Sequence, residues 1–117
     1  MVDDLELKDL EQYYGTAQYH KGWLNVNLTD GVAYVSENGY SWLVTDAISV
    51  IKTLPQLKNE SFLAVKLTID KNSETAVMTI DDGNNNVLYR QEYGYTNCKR
   101  DLILFFTDNV LMLDREY

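Results

Sequence analysis

Few side chains in this sequence have the chemistry that a reaction needs. The chain has one histidine, His20, and one cysteine, Cys98, which lie far apart in the sequence. A metal site needs several convergent ligands, and a catalytic thiol needs a base placed beside it. Lys99 and Arg100 could lower the thiol pKa, but their charges are expected to be solvated. We therefore predict no metal, no cofactor and no catalytic set, and hence a non-enzymatic protein.

A second group of polar and aromatic residues surrounds the sequence GYSWLVTDAISVI. Asp30, Tyr40, Trp42 and Asp46 could line the pocket of an enzyme or a small-ligand module. Alternatively, the aromatics seat a helix on a sheet, and Asp46 ties the segment 29–31 to that helix. A buried carboxylate without a partner is costly, so Asp46 predicts a nearby N–H or hydroxyl donor. No second reactive group accompanies these residues, which favours the docking role.

Residues 81–86, DDGNNN, resemble a calcium loop only superficially. The spaced ligands and the closing glutamate of such a loop are missing. Asp-Gly and Asn residues tolerate the backbone conformations of tight hairpins, so we predict a turn here.

Composition and charge restrict the compartment and the partners. The 117 residues are 45% hydrophobic, which suits one globular domain spanning residues 1–117. The net charge of −8 disfavours binding to nucleic acid or to an anionic membrane, and it permits a basic protein partner. One cysteine cannot form an intramolecular disulfide, and neither a signal peptide nor an 18-residue apolar run is present. These features predict a cytoplasmic protein.

Hydrophobic periodicity predicts helices in the first half of the chain and strands in the second. We expect helices over residues 3–14, just after Thr29, and over about 42–54, with one or two short strands between 16 and 28. Alternating residues predict five later strands, near 62–70, 75–81, 87–95, 101–106 and 110–114. The apolar DLILFF strand should be central and covered. The predicted fold is α+β, with an antiparallel sheet of about five strands and two or three helices on one face.

The segment TDGVAYVSENGYSWLVTDAIS resembles the signature T-D-G-V-x-Y-L-A-x-x-x-x-A-Y-W-L-x-D-A-I of a small family of bacterial and phage proteins. Its structural signature residues include Thr29, Asp30, Gly31, Tyr40, Trp42 and Asp46. The closing LMLDREY is similar to the family's C-terminal L-x-L-x-x-E-Y, whereas YTNCKRDL departs from its Y-T-D-F-P-L. The resemblance implies a setting in phages, plasmids or integrated elements, and it implies no particular activity.

Three functions remain open from the sequence. The favoured one is an acidic interaction protein that binds and inhibits a host protein, such as a nucleic-acid-binding defence component, in the manner of an anti-CRISPR. In its sharpest form, carboxylates imitate phosphates; the candidates are Asp3, Asp4, Glu6, Asp9, Glu11, Asp81 and Asp82. The second is a homodimer formed through a tyrosine face made of Tyr89, Tyr93 and Tyr95. The third is the small-ligand or enzyme module described above.

Overall fold

Seven β-strands form one mixed sheet in a computed structural model that describes residues 18–117. The predicted helix over residues 3–14 lies outside the described residues. The strands run in the sheet order β1-β2-β7-β6-β3-β4-β5. Their bounds are β1 His20–Lys21, β2 Asn27–Leu28, β3 Leu63–Asp70, β4 Thr75–Asp81, β5 Val87–Tyr93, β6 Leu102–Thr107 and β7 Val110–Leu113.

The five strands predicted from alternation are present as β3 to β7, but an antiparallel sheet of five is too simple a description. The two-residue strands β1 and β2 extend it, and β2 runs parallel to β7. All other neighbouring strands are antiparallel. One or two short strands were expected in this region, but strands of two residues carry no alternation signal, so the pairing of β2 with β7 could not be predicted from the sequence.

One main helix, α2 (Ser41–Thr53), packs on the sheet. Two short helices flank it, α1 (Asp30–Val35) and α3 (Pro55–Lys58), so the expectation of two or three helices was imprecise. Helix α2 buries one face, made of Leu43, Val44, Ala47, Ile48 and Ile51. None of the helices in residues 18–117 is long and apolar enough to span a bilayer.

A π-type turn over residues 36–40 separates α1 from α2. Gly39 has φ 105°, a conformation that is costly for residues with a Cβ atom. Its carbonyl oxygen accepts hydrogen bonds from Trp42 Nε1 at 2.8 Å and from Cys98 Sγ at 3.6 Å. The break therefore fixes both the start of α2 and the path of the segment around Cys98.

The sheet buries one face against α2 and leaves the other largely open. Val65 on β3, Met78 on β4 and Leu104 on β6 lie in the core beneath the helix. Strand β6 occupies the centre of the sheet order, as predicted. However, Ile103 on its other face keeps 38% of its surface exposed, so β6 is covered on one side only.

Candidate functional site

Asp46 connects the middle of α2 to the edge strand β5. Its Oδ2 atom accepts hydrogen bonds from Tyr93 Oη at 2.8 Å and from Gln91 Nε2 at 3.3 Å. The predicted donor therefore exists, but Asp46 ties α2 to β5 and not to the segment 29–31. Burial, followed by the hydrogen bond to Asp46, raises the pKa of the Tyr93 hydroxyl far above its ordinary value.

The two aromatic residues at the start of α2 belong to the core and its margin. Trp42 packs edge-on against Tyr93, with ring centroids 4.7 Å apart. Tyr40 is fully buried; its hydroxyl donates to the carbonyl oxygen of Arg100 at 3.0 Å and accepts from the N–H of Arg100 at 3.3 Å. Burial, and next the nearby Cys98, raise the pKa of Tyr40. A buried tyrosine bonded in this way has no surface to offer a ligand.

Asp30 serves another part of the fold. It is the first residue of α1, and its Oδ1 lies 2.9 Å from Nε2 of His20 on β1. Asp46, by contrast, bonds β5, which forms the opposite end of the sheet order from β1. The two carboxylates thus tie different pairs of elements, and the fold does not arrange them as an acid–base pair.

The segment 29–31 instead contacts the C-terminal turn, a short 3₁₀ helix over Asp114–Glu116. The sequence did not predict this contact. Glu116 Oε1 accepts hydrogen bonds from Thr29 Oγ1 at 2.5 Å and from the N–H of Leu113 at 2.9 Å. Its Oε2 accepts from the N–H of Gly31 at 2.9 Å. A Cβ atom on Gly31 would lie 2.5 Å from Leu113 Cδ1 and 2.7 Å from Glu116 Oε1, so a larger residue here would force these side chains to shift. The available signal was that Thr29, Gly31 and Glu116 all lie in the motifs TDGVAY and LMLDREY, which carry the family resemblance.

Three aromatic rings cluster on the side of the sheet away from α2. Phe62 and Phe105 have ring centroids 5.0 Å apart, and each lies 5.5 Å from the ring of Tyr117. Tyr117 is 75% exposed, and Ile103 lies beside the cluster. These four residues, Phe62, Ile103, Phe105 and Tyr117, border a groove of about 340 Å³ and are called the open face below.

An ion pair between Lys66 and a buried carboxylate forms the floor of the open face. Asp81 is only 2% exposed; its Oδ2 lies 3.2 Å from Lys66 Nζ, and its Oδ1 accepts from the N–H of Gly83 at 2.8 Å. This carboxylate is paired beneath the surface and is not displayed to a partner as a phosphate mimic requires. Such pairing keeps a buried charge compatible with the fold.

The rest of the DDGNNN segment forms the predicted hairpin turn. Asp82 accepts hydrogen bonds from the side chain of Asn86 and from the N–H of Asn84. The hydrogen bond from the Asn86 side chain, and next that from the N–H of Asn84, hold the pKa of Asp82 below its ordinary value. Asp82 therefore stays negatively charged. The other proposed mimic residues, Asp3, Asp4, Glu6, Asp9 and Glu11, lie outside the described residues.

The tyrosines of the predicted dimer face are distributed over different surfaces. Tyr89 and Tyr93 pair with Ile80 and Ala76 of β4, so they point toward the α2 side and are half-buried. Tyr95 follows β5 and is exposed. The three rings consequently do not form one open tyrosine face.

These observations define a small α+β protein whose mixed sheet has one helix-covered face and one open aromatic face. Among residues 18–117, no three His, Cys, Asp or Glu side chains come together as ligands for a metal ion. A family model described as a family of unknown function (DUF6876) matches residues 4–117, and the chain belongs to that family. Neither the curated proteins nor the solved structures include a match to this chain.

Proposed function

We propose that this protein is a non-enzymatic binding module that holds a partner protein on the open face. The observation that carries the proposal is the exposure of aliphatic and aromatic side chains around one groove, with Ile103 and Tyr117 the most exposed. Protein interfaces concentrate aromatic residues at their centres, because large rigid side chains bury much area at little entropic cost.

The charge of the chain indicates what kind of partner suits this groove. The protein carries a net charge of −8, whereas Lys66 and Asp81 on the floor of the groove neutralise each other. A basic partner would be attracted over a distance by the net charge, and an arginine could stack on the aromatic rings. The partner proposed is therefore a basic protein that places an apolar or arginine side chain in the groove, against the rings of Phe105 and Tyr117.

The narrower form of the proposal is that the protein belongs to a mobile element and inhibits a nucleic-acid-binding defence protein of its host. Its support is the resemblance to phage and bacterial proteins together with the acidic charge. Host defence proteins that grip nucleic acid present basic grooves, which an acidic protein can occupy. The cytoplasm is the matching compartment, and the single, buried thiol of Cys98 suits that reducing environment.

Phosphate mimicry is a separate part of the proposal, since Asp81 is buried. It would depend on Asp82 and on the acidic residues between positions 3 and 11. Screening by salt weakens exposed charge pairs, so mimicry predicts a complex that dissociates as ionic strength rises. A complex held mainly by the aromatic rings would instead persist in high salt.

Capture experiments with matched variants test the binding role. Immobilised protein is exposed to a lysate of the organism that encodes it, and retained proteins are identified by mass spectrometry. Tyr117→Ser and Ile103→Ser should lose a partner that the wild type retains. Tyr19→Ser, which removes an exposed ring beside β1, is the control and should retain it. Retention by all variants, or equal loss from the control, would refute the assignment of the open face.

A further inference from the structure

The outer edge of β5 is an unpaired strand edge in the described part of the chain. β5 is the last strand in the sheet order, and only β4 pairs with it there. Val87 is 58% exposed, and the side chains of Arg90 and Glu92 are exposed as well. Unpaired edges offer a row of backbone donors and acceptors that another strand can use.

The sequence of this edge is complementary to itself about Gln91. In an antiparallel pair related by a two-fold axis through Gln91, residues at equal distances before and after it face each other. Arg90 would face Glu92 of the second copy, and Glu92 would face the second copy's Arg90. Tyr89 and Tyr93 would face each other in the same way. Opposite charges and aromatic pairs are the cross-strand combinations that stabilise antiparallel strands.

The side-chain directions in the monomer suit this register. Arg90 and Glu92 pair with Thr79 and Val77 of β4, so they point away from α2, and they form an ion pair along the strand. A second copy would turn that ion pair into a ring of four alternating charges. Charged residues on edge strands commonly prevent association, but here the two signs are placed so that a two-fold axis brings unlike charges together.

We propose that the β5 edge binds a second copy of this chain, in antiparallel register centred on Gln91. The two sheets then join into one continuous sheet. Because directly opposite residues point to the same side of a sheet, both α2 helices lie on one side and both open faces on the other. The dimer would present two partner sites in the same direction. The β5 edge and the open face are separate surfaces, so the dimer does not depend on the proposed function.

Charge reversal at the edge tests the register directly. The mass in solution is measured by light scattering across the micromolar range for the wild type, Arg90→Glu, Glu92→Arg and the double variant Arg90→Glu/Glu92→Arg. In the dimer of each single variant, two pairs of like charges face each other across the strands. Its dissociation constant should therefore rise about tenfold or more above that of the wild type. The double variant exchanges the two signs and should restore the wild-type dissociation constant.

Mixing the two single variants provides a control that does not depend on either variant alone. Arg90→Glu carries two acidic residues at this edge and Glu92→Arg carries two basic ones, so together they should form a heterodimer of wild-type affinity. Circular dichroism shows whether each variant is folded. A monomeric wild type would overturn the proposal. So would equal association of all variants, or a failure of both the double variant and the mixture to restore the dimer.

Discussion

The surroundings of Asp46 could be predicted from the sequence only in part. The cost of burying a carboxylate correctly predicted a hydroxyl or N–H donor beside it. The identity of that donor, Tyr93, depends on which face of β5 points toward α2. The pairing of β5 with β4 is a local hairpin, but the packing of this hairpin against α2 joins residues distant in sequence and leaves no local signal. The predicted tie to the segment 29–31 was therefore wrong.

Removing the hydrogen bond between Tyr93 and Asp46 should lower the free energy of unfolding without affecting the binding of a partner protein. We expect Asp46→Ala and Tyr93→Phe each to reduce the free energy of unfolding by about 1 kcal/mol, the usual contribution of one hydrogen bond. The double variant should lose less than the sum of the two, since both changes remove the same interaction. Urea denaturation measures these values. Unchanged unfolding with abolished capture of a partner would restore Asp46 as a binding residue.

The raised pKa of Tyr40 predicts a loss of stability in alkali. The folded protein keeps the Tyr40 proton at pH values where the unfolded chain, with an ordinary tyrosine pKa of about 10, has released it. The folded state then binds more protons than the unfolded state. The contribution of Tyr40 to the free energy of unfolding is therefore fully present below about pH 10 and is lost as pH rises further. The slope contributed by Tyr40 is at most about 1.4 kcal/mol per pH unit.

Urea denaturation between neutral and alkaline pH measures that slope. Tyr40→Phe should be less stable than the wild type at neutral pH, because the backbone groups of Arg100 lose their partner. The variant should nevertheless show a smaller decline above about pH 10. An identical decline in both proteins would contradict the role given to the buried hydroxyl.

Among the elements, the C-terminal turn and the start of α1 act as one unit. Glu116 satisfies the N–H groups of Gly31 and Leu113 and the hydroxyl of Thr29. Glu116→Ala should leave these donors without that acceptor and lower the free energy of unfolding by about 1–3 kcal/mol. Glu60→Ala, at an exposed position, is the control and should have little effect. Equal unfolding curves for the two variants would show that the hydrogen bonds of Glu116 contribute nothing to the free energy of unfolding.

Gly31 offers an independent test of the same contact. A methyl group at position 31 would overlap Leu113 and the Glu116 carboxylate, so Gly31→Ala should displace the C-terminal turn. We expect lower stability and faster amide hydrogen exchange at residues 113–116 than in the wild type. Exchange at the wild-type rate in a fully folded variant would contradict the close approach.

The longer elements could be predicted with approximate bounds, whereas the short strands between residues 16 and 28 could be predicted without their bounds or partners. Alternation identified β3, β4 and β5, and helical periodicity identified α2, because each repeats its pattern several times. The strands β1 and β2 have two residues each, and the place of β2 beside β7 depends on contacts distant in sequence. Separate helices before and after residues 36–40 were expected, but the π-type geometry of the turn between them was not, since it results from the backbone conformations of Asn38 and Gly39.

For the molecule as a whole, the two faces of the sheet differ in how far they are covered. One face is closed by α2, and the other carries a groove bordered by residues from separate segments, namely Phe62, Ile103, Phe105 and Tyr117. The sequence predicted the apolar β6 strand but not that one side of it stays open. Nothing in the local pattern around Phe62 indicates that Phe105 and Tyr117 meet it in space, because the three residues are distant in sequence.

Site-specific photocrosslinking tests the central claim, that the open face holds a partner protein. Benzoylphenylalanine, an aromatic residue that crosslinks on irradiation, replaces Tyr117 in one protein and Trp23 in another. Trp23 is also exposed, but its indole N–H bonds Ser49 on the α2 side. Irradiation in the cells that produce the protein should yield a discrete heterologous crosslinked species from position 117 and none from position 23. Crosslinks from position 23 alone would place the partner on the helix side and contradict the account.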